Sequence, residues 1–278
     1  MNTQFEYPIT PKNEIDLKKI ESLHTKINDQ KPRHPELWAT IQQKLRGQWT
    51  YNSNAIEGST LTLGETLFFL QEGLTVEGKP LKDFLDAQHH AQAIDLLFEV
   101  VQSQRPISEG LIKELNALLL LGVTQTSALG IEGAQINKPA TPGQYKRLPN
   151  HVLQSDGSIH RYTEPLQVPD EMEKLITWVN STTQHPAIVA AIFHYHLVRI
   201  HPFDDGNGRG ARLVMNLILI KAGYPPAIIQ NANRRRYLEC LTQADAGDIS
   251  PFVTFVLDAL EATATSILID LNPTPHQN

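Results

Sequence analysis

The stretch His201 to Arg212, HPFDDGNGRGAR, lies between two apolar segments and decides how this part of the chain folds. Residues 186–200, PAIVAAIFHYHLVRI, are apolar on most helical faces, which predicts a buried helix. Residues 213–222, LVMNLILIKA, predict a second buried helix that ends at Gly223. The quoted stretch is therefore the loop between two core helices together with the first turn of the second.

The residue types in this loop suit the binding of phosphate. A helix N-terminus presents unpaired backbone N–H groups and a partial positive charge, both of which favour an anion. Gly206 and Gly208 have no side chains to keep a phosphate from that backbone. Arg209 and Arg212 lie three residues apart, so they share a helix face and can bind phosphate oxygens together.

Two further residues of the loop supply groups for chemistry. The Asp205 carboxylate can hold a hard cation such as Mg²⁺ through oxygen. His201, at the end of the first helix, is positioned to accept a proton from an incoming hydroxyl. Each feature alone is common in proteins without such a role, because Gly-x-Gly pairs often form turns and paired arginines often face solvent. Their combination between two buried helices favours a phosphate-handling site.

The loop resembles the signature of Fic-domain proteins, H-x-F-x-(D/E)-G-N-G-R-x-x-R. Every fixed position is filled, by His201, Phe203, Asp205, Gly206, Asn207, Gly208, Arg209 and Arg212. With its flanks the resemblance covers roughly residues 80–262. It implies an all-α chain with the Fic fold, a helical bundle with a small β-hairpin flap.

The resemblance also implies an activity, the transfer of AMP from ATP to a hydroxyl of a target protein, and of the protein itself. His201 is then the general base and Asp205 carries Mg²⁺. The nucleotide-binding residues are Phe203, Gly206, Asn207, Gly208, Arg209, Arg212 and, for the adenine side, Tyr237. Doc-type kinases of the superfamily carry Lys at the position of Gly208, so Gly208 favours adenylyl transfer by leaving the anion hole open. ATP is the favoured donor, and another nucleotide or a phosphocholine donor stays open.

A second motif lies far upstream. Residues 53–58, SNAIEG, resemble the family's inhibitory motif (S/T)-x-x-x-E-(G/N), with Ser53, Glu57 and Gly58 at its fixed positions. The preceding residues have helical periodicity, and Gly58 is a suitable C-terminal stop. A Glu at a helix end is often only a surface charge, but beside the complete signature we expect it to occupy the guanidinium of Arg212 that the γ-phosphate needs.

This motif leaves three functional hypotheses. The first is an adenylyltransferase inhibited by its own Glu57. The second is a regulatory module that binds a nucleotide with negligible turnover. In the third, Glu57 orients a water that removes AMP again from the modified target.

Residues 143–165 are the expected exception to helix. Val152 and Leu153, a turn at 155–158, and then Ile159 and Tyr162 predict a small hairpin. By resemblance this hairpin is the Fic flap, which pairs with an extended segment of the target and turns its hydroxyl towards His201. The target protein stays unidentified.

Composition adds exclusions and a provisional division of the chain. At 278 residues with a net charge of −6, the chain lacks the basic footprint of a nucleic-acid-binding protein, and the run Arg234 to Arg236 does not change that. One cysteine, no signal peptide and no run that we expect to cross a bilayer indicate a cytoplasmic protein without a membrane partner. Pairing of two copies is left open. We divide the chain into an N-terminal helical region (1–79), a Fic domain (80–262) and a C-terminal tail (263–278).

Overall fold

The computed structural model describes residues 5–129, 135–150, 152–153 and 159–272, and most of these residues are helical. The helices, in chain order, are α1 Pro11–Gln30, α2 Pro35–Ile56, α3 Leu63–Glu72, α4 Leu81–Gln102, α5 Glu109–Leu119, α6 Val168–Ser181, α7 Pro186–Ile200, α8 Asn207–Lys221, α9 Arg234–Asp245 and α10 Ser250–Leu271.

The two helices that flank the quoted loop, α7 and α8, form the centre of the bundle. Both are apolar on nearly every face, and their side chains are buried almost throughout, as such a pattern requires. They pack on each other and are surrounded by α4, α5, α6, α9 and α10. The loop between them is thereby fixed at both ends by the core of the protein.

The N-terminal helices belong to the same core. Helix α1 packs along α10, and α2 packs against α4, so that one continuous apolar cluster runs from Phe5 to Leu271. The boundary expected at residue 262 falls inside α10, and Ile267 and Leu271 beyond it are buried. Residues 263–271 are therefore helical core, and a tail begins no earlier than residue 272. Helix α10 is long and apolar enough to cross a membrane, and half of the qualifying window is buried inside the protein.

Within the described residues there are two short antiparallel strand pairs. Strands β3 (Val152–Leu153) and β4 (Ile159–His160) pair where the flap is expected, while its predicted turn at 155–158 lies outside the described residues. Strands β1 (Gln125–Leu129) and β2 (Gln135–Pro139) pair in a hairpin that the sequence analysis missed. These strands, QTSAL and QINKP, lack the regular apolar alternation by which a strand is usually recognised, and each has only one β-branched residue, Thr126 or Ile136.

Candidate active site

His201 ends helix α7 in a left-handed conformation, with φ 51° and ψ 59°. Its Nδ1 lies 3.2 Å from the carbonyl oxygen of Val198. A carbonyl only accepts, so Nδ1 carries the proton and Nε2 keeps its lone pair. The imidazole is therefore in the tautomer that a general base at Nε2 requires.

The environment of His201 keeps the imidazole neutral. Its ring stacks on the ring of Tyr162, with centroids 3.8 Å apart. Burial and the nearby positive charge of Lys146 lower the pKa of His201 to about 3. The imidazole is therefore neutral at pH 7.

The turn that follows is fixed by its own side chains. Gly206 has φ 77° and caps helix α8, and a Cβ there would lie 3.1 Å from Asn116 Nδ2. The Asn207 side chain accepts from the N–H of Phe203 and donates to its carbonyl, at 2.9 and 2.8 Å. Phe203 and Asn207 are both buried. These two side chains shape the loop that begins helix α8, and their assignment to nucleotide binding stays a prediction.

Arg212 is the most constrained of the motif residues. It is buried, and its Nε and Nη2 donate to the hydroxyl and carbonyl oxygens of Ser53, at 3.0 and 2.8 Å. Nη2 also donates to Glu57 Oε1 at 2.7 Å. The carboxylate at the end of α2 therefore reaches the second motif arginine, the contact expected from the upstream motif. Gly58, the third residue of that motif, follows with φ 98° and stops the helix.

Electrostatics favour the charged form of this pair. Partial burial raises the pKa of Glu57, but the guanidinium groups of Arg212, Arg209 and Arg234 outweigh burial and hold the pKa below its usual value. Glu57 is thus an anion at neutral pH. Its side chain remains 41% exposed, which leaves it room to move away.

The space above Gly208 is the expected anion hole. A Cβ on Gly208 would lie 2.5 Å from Glu57 Oε1 and 3.3 Å from Arg212 Nη1. As expected, no side chain at position 208 fills this space, and the Glu57 carboxylate borders it. Arg212 Nη1 is buried, and among the described residues it has no hydrogen-bond partner. A buried donor of this kind indicates that a further acceptor belongs beside it.

Arg209 is held by a residue that the sequence analysis missed. Its Nη1 donates to Asp86 Oδ1 at 3.0 Å, and both side chains are buried. Asp86 also accepts from Lys82 at 2.5 Å. The sequence around Asp86 on α4 does not predict this ion pair, because a carboxylate among apolar residues does not indicate which cation it will contact. Arg209 Nε, like Arg212 Nη1, has no partner among the described residues.

Tyr237 does not face the cleft. It is buried, with its hydroxyl 3.2 Å from His194 Nε2 and its ring 6.0 Å from the Arg212 guanidinium carbon. The predicted adenine contact is therefore not available to its ring in this conformation. Tyr237 instead supports Arg212 from the core side.

Asp205 fits the magnesium hypothesis in the way that Mg²⁺ usually binds beside phosphates. Its carboxylate is exposed, and Oδ1 accepts from the N–H of Gly206 at 2.6 Å. Within the described ranges no group of three or more His, Cys, Asp or Glu side chains could hold a metal by itself. One carboxylate completed by phosphate oxygens and water is the coordination that Mg²⁺ accepts.

These groups line one cleft of about 540 Å³ between the end of α2 and the start of α8, and Glu57, His201, Asp205, Gly208 and Arg209 all line it. The flap hairpin β3–β4 follows the described segment that ends at residue 150, and Tyr162 lies two residues after β4. Tyr162 is part of the site because its ring stacks on that of His201. The pairing of Val152, Leu153 and Ile159 is as expected of a hairpin, and their contact with a target stays a prediction.

Known proteins resemble this chain along nearly all its length. The Fic/DOC family model matches residues 106–219. Protein adenylyltransferase Fic of Drosophila melanogaster is 32% identical over 270 residues, which are 95% of this chain and 51% of that protein. The corresponding protein of Drosophila ananassae gives 32%, 95% and 50%. The chain therefore spans about half the length of the curated relatives it matches.

Solved structures share the whole architecture. A Fic domain containing signaling protein from Bacteroides thetaiotaomicron superposes with a TM-score of 0.82 at 30% identity, covering 94% of this chain and 99% of that one. Fic-1 from C. elegans superposes with a TM-score of 0.74 at 28% identity, covering 92% of this chain and 72% of that one.

Proposed function

Because the chain belongs to the Fic family, we propose that it is a protein adenylyltransferase, which moves AMP from ATP to a hydroxyl side chain of a target protein and of itself. One observation carries the proposal most directly. Arg212 Nη1, which is buried and has no hydrogen-bond partner among the residues that the structure describes, borders the space that the absent side chain of Gly208 leaves at the start of α8. A phosphate in that space would satisfy the guanidinium and the free backbone N–H groups of the first helical turn.

The reaction uses the neutral imidazole of His201. Nε2 takes the proton from the acceptor hydroxyl, and the hydroxyl oxygen forms a bond to the α-phosphorus of ATP. The bond between the α-phosphorus and the oxygen that bridges to the β-phosphate breaks, and pyrophosphate leaves with that oxygen. Arg209 and Arg212 bind the phosphates of the donor and of the leaving group. Asp205 would hold Mg²⁺, which supplies positive charge to the phosphate oxygens when bound.

We further propose that Glu57 inhibits this reaction. Its carboxylate oxygen Oε1 lies 2.5 Å from the position that a Cβ of Gly208 would have, and it accepts one hydrogen bond from Arg212. A γ-phosphate and a carboxylate cannot share this donor and this space, since both carry negative charge. ATP can then bind only with its α-phosphate turned away from His201.

The partner is a protein segment whose backbone pairs with the flap hairpin β3–β4. In this hairpin Val152 pairs with His160 and Leu153 pairs with Ile159.

Labelled ATP tests the proposal. Glu57→Gly protein is incubated with Mg²⁺ and ATP labelled at either the α- or the γ-phosphate, and protein-bound label is counted. We expect label from the α-phosphate on the protein and none from the γ-phosphate. The double variant Glu57→Gly with His201→Ala should still bind ATP, but it should carry no label of either kind. Gamma label on protein would indicate phosphorylation instead. No label with any candidate target, together with tight ATP binding, would favour a nucleotide-binding regulatory module.

A second candidate, removal of AMP, is favoured by one observation: the Glu57 carboxylate and His201 line the same cleft. An anionic carboxylate there could orient a water towards a phosphodiester. Supplying target that already carries AMP to wild-type protein separates the two activities. Release of AMP by wild type, and not by Glu57→Gly, would assign the removal reaction to Glu57.

A further inference from the structure

His201 has a backbone conformation that needs support from its surroundings. In the described part of the chain only Gln104 shares its positive φ among residues other than glycine. A left-handed conformation costs such a residue about 1–2 kcal/mol, and it persists where neighbouring contacts enforce it.

Two residues of the segment before β3 bind backbone carbonyl groups around this position. The Lys146 N–H donates to the carbonyl of Pro202 at 2.8 Å, and its ammonium donates to the carbonyl of Ile200 at 3.4 Å. Asn150 Nδ2 donates to the carbonyl of Phe203 at 2.8 Å. These two residues therefore donate hydrogen bonds to three carbonyl groups around His201, those of Ile200, Pro202 and Phe203.

The two residues also hold each other. Lys146 Nζ donates to Asn150 Oδ1 at 2.7 Å, and Lys146 is only 3% exposed. A buried ammonium with this set of acceptors is fixed in place, because moving it would leave its charge unpaired in the interior. We call Lys146 and Asn150 the loop clamp.

The clamp also brings positive charge to the imidazole. Lys146 Nζ lies 5.8 Å from the centroid of the Tyr162 ring, and that ring stacks on His201. The charge of Lys146 opposes a positive charge on the imidazole of His201. His160 acts in the same direction, and Glu57 acts against it.

The pKa values agree with this geometry. Burial, and after it the charge of Lys146, lower the pKa of His201 to about 3. Burial lowers the pKa of Lys146 to about 8, while the charge of Glu164 opposes that shift. The ammonium therefore stays mainly charged at pH 7 and the imidazole stays neutral.

We propose that the loop clamp, Lys146 with Asn150, positions the general base: it holds His201 left-handed, with Nδ1 on the Val198 carbonyl and Nε2 open to the acceptor hydroxyl. The inference rests on the proposed adenylyl transfer for its kinetic consequence. Its structural consequence, the orientation and tautomer of one imidazole, does not depend on any turnover.

The activity arm uses the Glu57→Gly protein as parent. Lys146→Met removes the charge and the donors but keeps the length of the side chain, and Lys146→Arg restores both. We expect Lys146→Met to lower kcat by about 10- to 100-fold, as for a general base out of position, with the KM for ATP within about twofold of the parent. Lys146→Arg should recover most of the loss. Asn150→Ala, which leaves the ammonium in place, should lower kcat less than Lys146→Met does.

The second arm reads the imidazole directly. Nitrogen chemical shifts of ¹⁵N-histidine protein at pH 7, assigned with His201→Ala, should show one Nδ1–H tautomer in the parent and in Lys146→Arg. They should show a mixture of tautomers in Lys146→Met and in Asn150→Ala. If Lys146→Met does not fold, as judged by thermal unfolding, Asn150→Ala decides the question.

An unchanged single tautomer together with unchanged kcat in the variants that fold would overturn the clamp. If the Glu57→Gly parent transfers no AMP but the clamp variants show the changed tautomer, the clamp stands and the proposed function is refuted.

Discussion

Glu57→Gly should raise the transfer rate by about 10- to 100-fold. The change removes one charge-assisted hydrogen bond, from Arg212 Nη2 to Glu57 Oε1 at 2.7 Å. Such a bond is worth about 1.5–3 kcal/mol, and each 1.4 kcal/mol corresponds to about a factor of ten. Because the Glu57 side chain is 41% exposed, solvent screens the pair, and the increase should fall towards the lower end of that range.

The rest of the site should survive this change. Ser53 holds Arg212 through two further hydrogen bonds, so the guanidinium stays in place when the carboxylate leaves. Glu57 is also the C-cap residue of α2, a position that tolerates glycine. The helix that carries the inhibitory motif should therefore keep its length.

The assay is the initial rate of α-labelled AMP incorporation into protein, measured at saturating ATP and Mg²⁺. Glu57→Gln is the matched control: it keeps the shape of the side chain and removes its charge, so its rate should lie between wild type and Glu57→Gly. The lifetime of the modification is measured in parallel on target that already carries AMP. Equal rates and equal lifetimes in wild type and Glu57→Gly would refute the inhibitory contact.

Three further outcomes follow from the same geometry. In the Glu57→Gly background, Gly208→Ala should raise the KM for ATP about tenfold or more. Its methyl group would lie 3.3 Å from Arg212 Nη1, in the space proposed for a phosphate. An unchanged KM would mean that no phosphate binds beside Gly208. Arg234→Met should raise the transfer rate of otherwise wild-type protein severalfold, because Arg234 Nε donates at 2.7 Å to the carbonyl of Ile56, the residue before Glu57. The control is Arg235→Met, whose side chain is 92% exposed and whose replacement should leave the transfer rate unchanged. Equal rates in the two variants would refute this prediction. Stability should fall by about 2 kcal/mol between pH 7.5 and 5 through His194 alone, which is fully buried with its pKa lowered to about 3 by burial and by Arg212. The unfolded chain binds the proton below about pH 6.5 and the folded chain does not, so urea unfolding of His194→Gln should show a smaller loss on acidification, and an equal loss would contradict it.

Much of the site could be predicted from the sequence because its residues lie close together in the chain. His201 to Arg212 occupy one loop and one helical turn, and periodicity on both sides locates that loop between buried helices. The contact of Glu57 with Arg212 joins residues 155 positions apart, and it was predicted only because the upstream motif resembles a known inhibitory one.

The residues that sequence reasoning missed act from a distance or through buried polar contacts. Asp86, Lys146 and Asn150 reach the motif from other elements, and an isolated polar residue in a helix or a loop gives no sign of which backbone or side chain it will meet. Phe203 and Tyr237 show the reverse case. Their place in the motif region predicts contact with the nucleotide, and the structure adds that both side chains are buried beside the loop and Arg212, which the motif did not indicate.

The domain division and the missed hairpin have a different cause. Helix α10 crosses the expected boundary because its apolar face continues to Leu271 against α1, whereas the resemblance reaches only about residue 262. Strands β1 and β2 are stabilised by pairing with each other, which composition alone does not reveal.

Intact-protein mass spectrometry after incubation with ATP and Mg²⁺ tests the central claim most directly. Glu57→Gly protein should gain the mass of one or more AMP groups, wild type should gain much less, and Glu57→Gly with His201→Ala should gain none. A gain equal to phosphate, or an AMP gain that persists in the His201→Ala protein, would contradict adenylyl transfer by this site.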